Sequence, residues 1–571
     1  MSLTSALNTA VAALRVNQAQ MQLISANVAH ANDPNYTRKT LQTSTVALGP
    51  GQVGSVEVSG YQNAVAVSLQ KQLVALTADS GGSSATAEYM ARVQDLFGTS
   101  TDQATLSTAM TAFTTAWQQL QSNPESEAAQ QQVVATGQRI ADEVHRLAGG
   151  LDQIDNDVRT DVDQSVDQLN GLLKQVFDVN LKLKQTQPDS AERGDLIDTR
   201  DKLVTQIAQY VDVRSVQRDD GSISLFTASG LQLMDGPPSL LAYDGTNVYK
   251  VEDGISINAQ LQGGRLHALL DFRQDGTGSN KPVSSDPGTE VIRKMRAQLD
   301  AIVGAFTSTI GTPATFASAY NAASSSQRIS ASFLTTVDPS AGSPQYTTVS
   351  LKGTLQPGDV FAINVNGHSY SYTSVATDTS LDQIAAQLSN LVNADGTVGV
   401  TAIPGVAGLQ LVGNTNNTKF TVQTTVNDET AELSGDFFTG TNRFNFQVNS
   451  ALADGSLQVK RNAASSVVGS LSSSDRNFTA VGLTLTNVSY QGLMTGIVGN
   501  SIANAKSVSD QSKFDSDAMT MSQQRYQSDV GVNLDEEIAN LQVVQNAYAA
   551  SARLLQVVQQ MFDTLEQAVS R

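Results

Sequence analysis

Apolar side chains recur at heptad spacing at both ends of this chain, and all the other material lies between them. At the N-terminus, apolar or small residues fall at Leu3, Leu7, Ala10, Leu14, Met21, Ile24, Val28 and Ala31, in steps of three and four that skip only Asn17. The C-terminal stripe is cleaner: Leu534, Ile538, Leu541, Val544, Tyr548, Ala552, Leu555, Val558, Phe562, Leu565 and Val569 make ten steps over 35 residues, a mean of 3.5. That period keeps one seam facing a partner through a left-handed coiled coil. A single stripe would read as the buried face of an ordinary surface helix. Two stripes at opposite ends of 571 residues predict helices that pair with each other. The first, with several alanines, is too weak to hold its helix alone. The expectation is coupled folding, with ends mobile in the monomer and ordered when neighbouring subunits supply more buried surface.

Between the stripes the pattern changes several times. Asn32-Asp33-Pro34-Asn35, followed by Tyr36, should end the first helix, because proline disfavours a helical residue before it and asparagine tolerates positive φ. Alternation with glycines over 40–68 reads as an extended or hairpin segment closing an N-terminal unit, 1–68. A helical bundle is expected over 69–211, broken at Gly81-Gly82, Asn123-Pro124, Gly149-Gly150 and Pro188. Short β-type runs and a helix near 287–310 make up 212–330. Outer β-rich material fills 331–490, with a ββαββ module at 350–425 built on the Asn366-Gly367 hairpin signal and a helix capped by Thr379 or Ser380. A C-terminal axial helix segment, 491–571, completes an α+β multidomain architecture with paired terminal coiled-coil helices.

Chemistry is not what these residues advertise. The net charge of -19 repels phosphate backbones and anionic membranes, so nucleic acid is excluded as an expected partner. The chain has no cysteine and no apolar run long enough for membrane insertion. Its N-terminus, interrupted by Thr4, Ser5, Asn8 and Thr9, does not read as a cleavable signal peptide. Gly49, Gly51 and Gly54 spell GxGxxG, but the following SVEVSG reads as a strand where a dinucleotide site needs a helix. His30, His145, His267 and His368 lack zinc spacing, and Asp155, Asp157, Asp161, Asp163 and Asp167 lack the turn glycines of a calcium loop, which leaves a solvated acidic helix face. No Gly-x-Ser-x-Gly elbow occurs. The aromatic residues of 361–372 and 437–446 read as strand packing. Neither an enzyme, a cofactor nor a metal site is expected.

Both ends also carry a resemblance. SANVAHANDPNYTR, from Ser25 to Arg38, resembles the N-terminal signature of flagellar rod, hook and hook-associated axial proteins, with Asp33 where threonine is usual and Asn35 where glycine is usual. GVNLDEEIANLQVVQNAYAASARLLQVVQQMFDTLEQAV is similar to the matching end of that family. TAWQQLQSNPESEAAQQQVV, GDLIDTRDKLVTQIAQYVDV and GGRLHALLDFR place the likeness with its hook-associated members. The resemblance implies a homo-oligomeric adaptor ring outside the cell, with the hook protein on one side and the next hook-associated protein on the other. It also implies passage through the flagellar export apparatus, with an export chaperone as a possible further partner. The assembly positions it implies are Leu3, Leu7, Leu14, Met21, Ile24 and Val28 facing Leu534, Ile538, Leu541, Val544, Tyr548, Leu555, Val558, Phe562 and Leu565. The alternatives are another axial protein, a hook or distal rod protein, or an extracellular binding role for the central region.

Overall fold

The computed structural model describes residues 3–46, 55–98, 105–124, 126–187, 190–273, 286–322, 329–337, 339, 342–427, 435–455 and 457–569. Pro188 and the glycines of the GxGxxG string lie outside them. Helix α1 (Leu3–Ala29) leads into an antiparallel ribbon, β1 (Lys39–Val46) with β2 (Ser55–Asn63). Four helices follow: α2 (Val67–Phe97), α3 (Leu106–Ser122), α4 (Glu127–Gln185) and α5 (Ala191–Ala208). Local chemistry sets their ends. Thr105 and Thr108 cap α3 reciprocally, Ser126 and Ser190 cap α4 and α5, and α3 stops at Asn123 before Pro124.

The two glycine pairs do not break helices: Gly81-Gly82 lies inside α2 and Gly149-Gly150 inside α4. Close approach accounts for Gly81, where a Cβ would stand 2.4 Å from the backbone oxygen of Gln209. The helix tolerates a residue of low propensity because another backbone presses against it there.

Short strands come next, β3 (Val213–Gln217), β4 (Ile223–Thr227) and β5 (Gln232–Met234) in one sheet, β6 (Leu241–Tyr243) with β7 (Val248–Lys250) in another. Helices α6 (Gly264–Arg273), α7 (Val291–Thr307) and α8 (Phe316–Ala322) return to the bundle. The chain then enters a separate body with its own core. Its strands are β8 (Ile329–Val337), β9 (Tyr346–Gly353), β10 (Val360–Val365), β11 (His368–Thr373), β12 (Val400–Gly405), β13 (Gly408–Gly413) and β14 (Val422–Asn427), and its helix is α9 (Leu381–Ala394). The sheets run β11-β10-β14 and β12-β13-β9-β8. The expected ββαββ order is present as β10-β11-α9-β12-β13, with β8, β9 and β14 added. Asn366 and Gly367 turn the β10–β11 hairpin at φ 51 and 84, and Ser380 caps α9.

Residues beyond this insert rejoin the first body, which differs from the expected outer block of 331–490. β15 (Phe438–Thr439), β16 (Gln447–Val448), α10 (Ser450–Ala453), α11 (Ala464–Ser472), β17 (Arg476–Ala480) and β18 (Leu483–Val488) precede α12 (Tyr490–Val530) and α13 (Leu534–Val569). Phe437, Phe438 and Phe446 close an aromatic cluster with Phe113 and Trp117 of α3, Phe306 of α7, and Phe316 and Tyr320 of α8. One contiguous core therefore joins α2 through α8 with the segment from 437 to 508, so the expected boundary at 211 falls inside it. The insert has two closely spaced ends: Asn321 donates to Asp436 where the chain leaves and rejoins the main body, and Thr424 Oγ1 donates to the Ala331 oxygen at 3.2 Å within the insert.

The acidic row on α4 is not the solvated face its spacing suggested, because other helices surround α4. Asp155 is buried and accepts from Arg273 Nε at 2.5 Å, with Arg159 and Arg296 on its other oxygen. Asp157 pairs with Arg92 and Asp161 with Arg265, while Asp163 and Asp167 are exposed. Burial pushes the Asp155 carboxyl up, but Arg273, Arg296 and Arg159 together hold it below its ordinary value of 3.8. A lowered carboxyl contributes stability above its unfolded pKa and loses it as pH falls through the folded one. Thermal melts at descending pH should therefore fall more steeply below about pH 4 for the native chain than for Asp155→Asn. Parallel curves would contradict that assignment.

Candidate assembly site at the chain termini

Helix α1 ends at Ala29, and Asp33 forms the turn that follows: its Oδ1 accepts from the Asn35 N–H at 2.9 Å. Asn35 is not among the residues with positive φ, so this Asx turn replaces the left-handed conformation expected of it. Asn32, Asp33 and Pro34 are exposed, whereas Tyr36 is buried with His30 stacked on its ring at 4.8 Å. At the other end, Gly531 separates α12 from α13; a Cβ there would stand 2.3 Å from the Gln527 oxygen. Asn533 Oδ1 accepts from the backbone of Asp535 and Glu536, and the first turn of α13 is acidic, as a helix N-terminus favours.

The two terminal helices pair antiparallel. Asn17 Nδ2 donates to Ser551 Oγ at 3.4 Å, and Asn27 Nδ2 donates to Glu537 Oε2 at 3.3 Å. The line of α13 turned inward is Glu537, Val544, Ser551 and Val558, each seven positions from the next; three are buried and Ser551 half-buried. On α1 the buried residues are Ala10, Leu23, Ile24 and Asn27, with Leu7, Leu14 and Met21 half-buried. Leu3 begins the helix.

That seam lies to one side of the stripe read from the sequence. Val544 and Val558 are buried and Leu541 and Leu555 half-buried, but Leu534, Ile538, Tyr548, Phe562 and Leu565 stay exposed, as does Val28 on α1. A second flank of α13 is apolar too: Val543, Leu554, Val557 and Met561 are 66, 51, 53 and 49 % exposed. A two-helix pair can cover one line of residues, and this helix carries apolar side chains well beyond it. The physical result is a helix with unfilled apolar surface on both sides of α1, the helix it packs against.

A polar cluster fastens the pair to the main body. Asn27 is its hub: Nδ2 donates to the Lys39 oxygen at 3.0 Å as well as to Glu537, and Oδ1 accepts from the Tyr36 hydroxyl at 2.9 Å and the Lys39 N–H at 3.3 Å. Glu537, 1 % exposed, also accepts from Arg38 Nε at 2.7 Å, while Arg38 donates its N–H to the Val530 oxygen at 2.8 Å. Lys39 lies 3.9 Å over the Tyr36 ring and bridges to Asp195 and Asp198 of α5. Thr37 and Asn63 donate to Asp198 as well. Burial works against the Lys39 ammonium, but Asp195 and Asp198 outweigh it and raise its pKa; burial raises Asp198 against the pull of Thr37 and Lys39. Burial also pushes the Tyr36 hydroxyl up.

Asn27, Arg38, Asp195, Asp198 and Glu537 fall inside the stretches that carry the family resemblance, but nothing in those stretches says that they meet, and Lys39 and Asn63 lie outside them. The site can do noncovalent work, holding one helix pair against one body. Among the described residues no cluster of metal-ligating side chains occurs, and no helix is long and apolar enough to cross a membrane.

Comparison with known proteins adds the following. Residues 90–313 match the family described as "Flagellar hook-associated protein FlgK helical domain", and residues 523–568 match "Flagellar basal body rod FlgEFG protein C-terminal". The chain is 28% identical over 596 residues to the Flagellar hook-associated protein 1 of Escherichia coli (strain K12), covering 99% of each. It is 25% identical over 592 residues to that of Salmonella typhimurium, again covering 99% of each. The solved structure of the flagellar hook junction protein FlgK from Burkholderia pseudomallei superposes with a TM-score of 0.45 at 14% identity, over 80% of this chain and 100% of that one.

Proposed function

Since the chain belongs to the flagellar hook-associated protein 1 family, a family of structural flagellar proteins, we propose that it forms a homo-oligomeric junction between hook and filament through α1 and α13. The observation that carries this reading is the apolar surface of α13 left uncovered on both flanks of α1. Copies of the same helix pair, stacked around a tube, would fill those flanks and bury the stripe residues Leu534, Ile538, Tyr548, Phe562 and Leu565. Each Leu or Ile so buried contributes about 1.5–3 kcal/mol, and many copies act together. The hook protein on one side and the next hook-associated protein on the other would contact the two ends of the ring. The route outward is the flagellar export apparatus, with an export chaperone holding the termini before assembly.

Electron microscopy of cells lacking this chain tests the reading: hooks should be present and filaments absent. Missing hooks would assign the chain to the rod or hook instead. The helix pair should also be the least protected part of the free subunit. Hydrogen exchange at α1 amides should run faster than at α4 amides by orders of magnitude, because α4 lies in the main core and α1 lies outside it, against α13 and the β1–β2 ribbon. Protection of residues 3–29 equal to that of α4 would rule out ordering on assembly.

A further inference from the structure

The seam between α1 and α13 contains polar residues where a two-helix pair would gain most from apolar ones. Of the four inward positions of α13, Glu537 and Ser551 are polar, and they meet Asn27 and Asn17 of α1. Larger apolar residues are meanwhile left outside at Leu554, Val557 and Met561. We propose that the Asn17–Ser551 and Asn27–Glu537 pairs determine pairing specificity: they select the chain's own other end, antiparallel and in one register, over slipped pairings and over the helices of neighbouring copies.

The argument is one of cost. Apolar seams with heptad periodicity accept a slip of seven residues with little penalty, whereas a polar residue inside a seam is satisfied in one alignment only. A slip of one heptad would set Ser551 against Ile24 or Ala10 in place of Asn17. It would also take Glu537 away from Arg38 and Asn27, and a buried carboxylate without its partners is strongly destabilising. Arg38 sits outside α1 and is itself bonded to Val530 at the end of α12, so it does not slide with the helix. The choice matters because α13 presents apolar flanks on either side of its seam, and an unspecific seam would let those flanks compete for α1.

The chain has no cysteine, so introduced pairs report alignment directly in the full-length protein. Ala10 and Val558 lie seven positions back and seven forward from Asn17 and Ser551, and both are buried in the seam. Oxidation of A10C/V558C therefore reads the native register, and A10C/L565C reads a one-heptad slip. With Asn17 and Ser551 in place, the native pair alone should crosslink, within one chain. In the Asn17→Leu/Ser551→Leu background, roughly half of the crosslinked product should move to the slipped pair or to dimers between chains. Glu537→Gln, which keeps an acceptor for Asn27 and loses the charge for Arg38, should shift the distribution the same way by less. Circular dichroism melts of the main core should be unchanged, since neither α1 nor α13 contributes to it. Crosslinking confined to A10C/V558C in the leucine background would overturn the proposal. So would failure of that pair to crosslink with Asn17 and Ser551 present. Neither outcome depends on assembly into a flagellum, so the proposal and the junction role can fail separately.

Discussion

A chain ending at Gly531 should fold and melt like the full-length protein, with a midpoint within about 2 °C, and should restore no filaments to cells that lack it. The first half follows from the core: no residue of α13 belongs to the hydrophobic cluster that spans α2 to Val508, and α12, which does contribute, is kept. The second half follows from what is removed, namely every apolar residue offered to neighbouring subunits by the C-terminal end. A subtler version is Leu554→Asp/Val557→Asp, since both side chains are about half exposed at 51 and 53 % and face away from α1. The free subunit should be unaffected, while each substitution forfeits the roughly 1.5–3 kcal/mol of burial available per contact in a packed array. Motility and electron microscopy read both variants. Normal filaments with either would show that the uncovered flanks are not assembly surfaces.

Trp117→Ala should cost about 3–5 kcal/mol in urea unfolding of the main body. Trp117 is fully buried, and its ring meets Phe316 and Tyr320 at 6.0 Å and Phe437 at 5.7 Å. Those partners come from α8 and from the segment following the insert, so the cavity would open where the chain's return crosses its outgoing path. Trp117→Phe should cost far less, because the indole Nε1 has no hydrogen-bond acceptor among the described residues and no polar partner is stranded by its loss. Equal destabilisation by the two substitutions would mean that the indole nitrogen does matter.

Much of the architecture could be read from the sequence where one local signal dominates. Asn366-Gly367 named its hairpin and Thr379-Ser380 narrowed its helix cap to two residues, of which Ser380 serves, because turn and cap chemistry act within a few residues. Phase was harder. The period of α13 was plain, but apolar residues at Val543, Leu554, Val557 and Met561 leave little contrast around the helix, so periodicity alone could not say which line meets α1. The inward line even includes Glu537 and Ser551, which a search for apolar residues passes over. Gly81 and Asp155 misled for one shared reason. A glycine in a helix and a carboxylate on it take their meaning from what another part of the chain brings close, the Gln209 backbone in one case and Arg273 in the other. The sequence left 437–488 in the outer block for the same reason, because Phe437 and Phe438 find their partners some 300 residues earlier at Phe113 and Trp117.

The insert joins the main body through neighbouring entry and exit points, marked by the contact between Asn321 and Asp436. A load applied to it, whether drag from moving liquid or a collision, therefore enters the rest of the molecule close to that contact. Lengthening, shortening or exchanging it leaves the spacing of the terminal helices unchanged. The same doorway is where a fluorescent protein or affinity handle could be carried without replacing any residue of the terminal helix pair.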